Sequence, residues 1–185
     1  MSYFMLECYG PDDERRASVD TVDNAESLNW MLAEPFREPV PTPIKVTLNA
    51  YEGLMMPMFS ASILLMSDEL VAALAEAGVD NLDLYDAELF NPATNERFTN
   101  YKAVNIIGAV AAADLAQSEC QLHGDAQFDV DFDSLVLDEA KTHELLIFRL
   151  AECVTGIAVH DKVKRCVERR GIQHLDWVPP EEWIG

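Results

Sequence analysis

No stretch of the 185-residue chain approaches the roughly 18 consecutive apolar residues of a membrane-spanning helix. Basic residues are scarce: 13 Lys and Arg stand against 33 Asp and Glu, a formal charge of −20. A surface of that sign repels phosphates and anionic lipid, so no direct nucleic-acid or membrane binding is expected. Any natural macromolecular partner is expected to be basic. Only four cysteines occur (Cys8, Cys120, Cys153, Cys166), far apart and without a CxxC. They read as reduced, mostly buried thiols and not as a disulfide framework. The start, MSYFMLECYG, lacks a basic region and breaks its apolar run at Glu7. It is expected to form a first strand and not a signal peptide, in a cytoplasmic protein.

Motifs for catalysis are also missing. There is no GxSxG elbow, no GxGxxG or GxxxxGK[ST] phosphate loop and no HExxH. The histidines (His123, His143, His160, His174) are scattered, and the Cys120-x-x-His123 pair supplies two ligands where a closed zinc shell takes four. Asp129, Asp131 and Asp133 open like a calcium loop. However, Ser134 stands where the sharp turn takes Gly, and Ala140 stands where a bidentate Glu belongs. The expectation is no metal, no cofactor and no enzymatic activity.

What is present is a mixture of helix and strand signals without a βαβ rhythm. This points to an α+β fold, a single domain around a largely antiparallel or mixed sheet with a few packed helices. Residues 1–43 are expected to hold a strand over 2–8 and a polar loop from Gly10 to Asp23. A short helix follows over Asp23–Ala33 (Leu28, Met31 and Leu32 inward), then the proline-rich connector EPFREPVPTP.

The main body, 44–185, starts with an alternating strand, Ile44–Ala50. Ser67–Ala77 is a helix with Leu70, Val71, Leu74 and Ala77 buried and Gly78 as its stop. A strand from Leu82 to Phe90, its phase slipping near Asp86, turns at Asn91–Asn95 and pairs with Tyr101–Val110. Phe128, Val130 and Phe132 alternate with the three aspartates, and Leu135–Leu137 continue the apolar character. Leu146–Leu150 and Ile157–His160 are further strands, and Asp161 caps a helix to Arg170 with Val163, Cys166 and Val167 inward. The methionine-rich Tyr51–Phe59 is read as core filling, and Trp177 and Trp183 as pins for the tail.

Charge layout is the most informative feature. Between Lys45 and Arg97, and again from Ala103 to Ala140, no Lys or Arg interrupts the acids, whereas Lys162, Lys164, Arg165, Arg169 and Arg170 crowd the last helix. Such a field speeds capture of a positive partner. The aspartate run has two readings, a solvated face that deters edge pairing or a docking surface for a cationic partner. The candidate binding residues are Asp129, Asp131 and Asp133, with Asp83, Asp86, Asp114 and Glu119 as further members.

Two segments carry a family likeness. Gly78–Val110 contains GVDN before a strand and Tyr101-x-x-x-Asn105-Ile-x-Gly108. Phe148–Trp183 contains Phe148-Arg-Leu-Ala-Glu152 and Val159-His-Asp-x-Val163-Lys. In these the chain resembles the Imm11, or DUF1629-type, immunity proteins of bacterial polymorphic toxin systems. The resemblance implies a cytoplasmic antitoxin that binds one cognate toxin domain stoichiometrically. It carries no residue-level functional map, and Asn105 and Gly108 are expected to be structural; from their local spacing, Arg149 and Glu152 are expected to form an internal ion pair. The acidic surface suits a basic nuclease toxin. The alternative from another class is an acidic nucleic-acid mimic or adaptor that binds several basic proteins. The oligomeric state is left open.

Overall fold

A computed structural model describes residues 2–10, 16–25, 27–49, 54–123 and 129–185; Ala50, Tyr51 and Phe128, named above, lie outside these ranges. Strands β1 (Tyr3–Glu7), β2 (Val19–Val22), β3 (Ile44–Leu48), β4 (Met58–Ser60) and β5 (Leu64–Ser67) precede helix α1 (Asp68–Ala77). Next come β6 (Leu82–Asn91), β7 (Glu96–Ile106), β8 (Ala109–Val110), β9 (Glu119–Leu122) and β10 (Val130–Ser134). The chain closes with β11 (Ile147–Leu150), β12 (Ile157–His160), helix α2 (Asp161–Arg169) and β13 (Asp176–Val178). The fold is α+β and dominated by sheet, as the mixed signals imply.

A six-stranded sheet runs β2-β3-β6-β7-β5-β4 and a five-stranded one runs β13-β1-β12-β11-β8. Both are antiparallel except where β3 meets β6 and β11 meets β8. The two helices pack together against one face of both sheets. There Leu70 and Leu74 of α1 and Val163 and Val167 of α2 meet Met66, Val104, Ile106, Ile147 and Val159. Burying each such side chain stabilises the fold by about 1.5–3 kcal/mol. On the far side, Trp30 and its neighbours cover the six-stranded sheet, and β10 with the C-terminal tail covers the five-stranded one.

Local chemistry sets the elements. Ser67 Oγ accepts the Leu70 N–H at 3.2 Å, and Asp68 and Glu69 favour the positive end of α1. Gly78 ends the helix at φ +97°, where an L side chain is strained. Ala73, and not the half-buried Val71, completes the buried stripe. The expected phase slip in β6 is a bulge between Ala87 and Leu89. Met56 and Met58 are buried, in keeping with a core role.

Several expectations are corrected. No described residue between Asp23 and Ala33 is helical. Asn29 Oδ1 instead accepts the Met31 N–H at 3.1 Å, Ala33 takes a positive φ, and Leu32 is 59% exposed. The inward residue there is Trp30, edge-on to Phe36 and Tyr85. The polar segment before it is not all loop, because β2 pairs with β3.

Tyr101–Val110 is not one strand but parts of two. The chain leaves the larger sheet after Ile106 and turns at Gly108, at φ +124°, to enter the smaller one as β8. Asn81 Nδ2 donates to Ile107 O (2.8 Å) and Ile147 O (2.9 Å), stitching the sheets together at that point. His160, and not Asp161, caps α2, its Nδ1 accepting the Lys162 N–H at 3.0 Å, while Asp161 pairs with Arg165. All four cysteines are free thiols, but only Cys166 is fully buried. Among the described residues no helix is long and apolar enough to cross a membrane.

Candidate functional site

Alternation builds the site. Val130 and Phe132 turn inward, Phe132 lying 6.1 Å from the Trp183 ring, so Asp129, Asp131 and Asp133 must face out, and all three are exposed. Strand β9 pairs with β10 through Val130↔Leu122, Asp131↔Gln121 and Phe132↔Cys120, with a bulge at Asp133 before Ser134↔Glu119. The other edge of β10 is held by the tail. Phe132 N–H donates to Gly185 O at 2.7 Å, and Gly185 N–H donates back to Phe132 O at 3.0 Å. Trp183, 2% exposed, anchors that tail by donating from Nε1 to Glu7 Oε1 at 2.9 Å. The aspartates therefore stand on a braced strand, one edge on β9 and the other on the tail.

Their charges are almost uncompensated. Among the described residues no Lys or Arg lies within 4.0 Å of any of the three. The neighbour is His123, whose Nε2 is 2.6 Å from Asp131 Oδ2. The hydrogen bond to Asp131, and then its charge, hold His123 above the usual imidazole pKa. Glu119, exposed at the start of β9, belongs to the same surface.

The other sequence candidates are dispersed. Asp114 caps a turn, accepting from the Ala116 and Gln117 N–H groups and from Gln117 Nε2, and these bonds lower its pKa. Asp86 is tied to Lys102 at 2.6 Å, and Lys102 also reaches Asp68 of α1. Asp83, odd-numbered like Tyr85 on β6, faces the opposite side of that sheet from Asp86. One flat partner cannot meet both.

Beside the end of β10 lies a groove of about 330 Å³. Leu135, Val136, Leu137 and Pro180 line it, Tyr3 closes one side, and Glu139 and Glu181 stand at its rim. Tyr3 is fixed by donating its hydroxyl hydrogen to Leu145 O at 2.8 Å, and the Ser2 N–H holds Glu139 in place at 3.0 Å. That bond keeps Glu139 below the ordinary carboxylate pKa. Sequence reading missed this groove. Its only signal was Leu135–Leu137 running into Asp138–Glu139, and nothing local pointed to PPEE as the opposite wall.

The family-like residues are buried scaffold. Arg149 and Glu152 form no ion pair. Arg149, pushed down to about 10 by burial, donates to Val154 O at 2.7 Å, and Glu152 Oε1 accepts the Ala113 N–H at 3.2 Å. Burial raises the Glu152 carboxyl. Asn105 is fully buried and donates to Glu34 O at 2.8 Å. Cys120 and His123 do not converge, the thiol turning to Leu115 O and the ring to Asp131. Among the described residues no group of three or more His, Cys, Asp or Glu is placed to hold a metal ion. No family model matches the chain, and no curated protein matches it.

Proposed function

We propose that this chain is a non-enzymatic immunity protein of the kind its sequence resembles, which neutralises one basic toxin domain by occupying its cationic surface. The observation that carries the reading is the outward row Asp129, Asp131 and Asp133, braced from both edges and without a Lys or Arg partner among the described residues. Like charges in a row repel one another and lower stability. A cation brought by a partner would relieve that repulsion. A nuclease is the fitting target, because the groups that hold its substrate's phosphates are basic. The acidic face competes with phosphate for them and steers the two proteins together at long range.

The complex would form in the cytoplasm, where the resemblance places such proteins, and would bury on the order of 1,600 Å². The test is co-purification with the toxic domain encoded by the adjacent gene. A one-to-one complex that abolishes the toxin's activity supports the reading. No complex at low or high salt contradicts it. Salt-labile binding to many unrelated cationic proteins would favour the adaptor alternative.

A further inference from the structure

We infer that the groove beside β10 is an anchor site for one long aliphatic side chain with a terminal cation, a lysine or arginine of the basic partner. This deepens the immunity reading and rests on it for the identity of that partner.

Size restricts the occupant. At about 330 Å³ the groove lies at the lower bound of small-molecule pockets, which run from about 300 to 1,000 Å³. A groove of that size has room for one or two side chains. Its chemistry restricts the occupant further. The walls Leu135, Val136, Leu137 and Pro180 offer an apolar channel suited to a methylene stem, since lysine and arginine bury their stems while keeping the charge at a wet edge.

The rim selects the sign. Glu139 and Glu181 border the groove, and among the described residues no Lys or Arg lines it. Glu139 is held ionised by the Ser2 N–H, while Glu181 is exposed and makes no ion pair among the described residues. Lys141, the nearest cation in sequence, is engaged with Asp138 at 3.5 Å. A neighbouring groove of about 360 Å³ shares Tyr3 and Glu139 and adds Glu144. His160 also lines that neighbouring groove, so the purely acidic border is confined to the first. An apolar anion would meet repulsion there, and a neutral chain would forgo the carboxylates.

Position ties the groove to the strand face. Leu135 follows directly on β10, and its N–H donates to Pro180 O at 3.1 Å, so groove and strand share one rigid support. A partner whose cations meet Asp131 and Asp133 can place a further basic residue beyond the strand end.

The experiment follows the methyl resonances of Leu135, Val136 and Leu137 in the full chain during titration with n-pentylammonium and n-butylguanidinium, and with n-pentanol and hexanoate as neutral and anionic counterparts. The expected result is a saturable shift with the cations at millimolar concentration, weaker with pentanol and absent with hexanoate. Glu181→Gln, an exposed change that leaves the fold intact, is expected to weaken cation binding about threefold, the worth of one exposed ion pair. Equal shifts with all four probes, or no shift with either cation, would overturn the anchor site. No toxin is present, so the outcome is separate from the immunity test. A toxin complex without a cation response removes the groove alone. A cation response without a toxin complex leaves the groove and removes the immunity reading.

Discussion

Strands β6 and β10 carry similar acids and differ in what stands beside them. On β6, Asp86 and Glu88 face β7, which supplies Lys102 at 2.6 Å and Arg97 at 2.5 Å. Arg97 also stacks over Phe90 at 4.7 Å. On β10, Asp131 and Asp133, with Asp129 just before the strand, stand beside β9, which offers glutamine and glutamate, with His123 just past its end. The first pair of strands pairs two of its acids with cations across the hairpin, and the second projects its charge. A count of acids does not find a docking face, since the composition of the neighbouring strand decides whether the charge is spent inside the fold.

The largest effect is expected from beneath β10. Trp183→Ala removes the anchor of the tail that pairs with Phe132. We expect a loss of about 3 kcal/mol, typical of a large aromatic truncated in a core, read from the urea unfolding midpoint. An unchanged midpoint would mean that the tail does not brace the strand. Next in size, replacing Asp129, Asp131 and Asp133 together with Asn should slow association with the cationic partner about tenfold while leaving the unfolding midpoint level or slightly raised. Asp86→Asn with Glu88→Gln should leave association unchanged, as stopped-flow kinetics would report.

On the β6 side, Lys102→Met leaves Asp68 and Asp86 facing each other without their shared cation. The expected cost is up to about 1 kcal/mol in the unfolding midpoint, because the pair is partly exposed.

The smallest effect concerns His123. Its raised pKa means the folded state favours the protonated ring. That contribution is complete below the ordinary imidazole value of 6.5 and is lost as pH rises through the raised folded value. The ring-proton titration by NMR should sit above 6.5 in the parent and fall back in Asp131→Asn. Because losing that proton makes the face more negative, association should quicken slightly with rising pH over the same interval.

Much of the fold was legible because its signals are local. Ser67 and Gly78 bracket α1, the alternation of β3 and β10 names their inward residues, and the Asn91–Asn95 turn joins β6 to β7. The failures are tertiary. The helix expected near residue 30 gave way to Trp30 packing on a sheet whose strands lie far along the chain. The break at Gly108 reflects a change of sheet that alternation cannot register, since both halves are apolar. The site was half legible. The aspartate row follows from period two, but the separation of Asp83 from Asp86, the structural work of Asp114 and the groove wall at Pro180 depend on contacts between distant segments.

The most direct measurement is the salt dependence of association between this protein and the toxic domain of the adjacent gene, for three forms: the parent, the triple Asn variant of β10, and the Asp86→Asn, Glu88→Gln variant of β6. The association rate should fall steeply with salt in the parent and in the β6 variant, and less steeply in the β10 variant. Equal slopes for all three forms would contradict the claim that β10 presents the charge the partner reads.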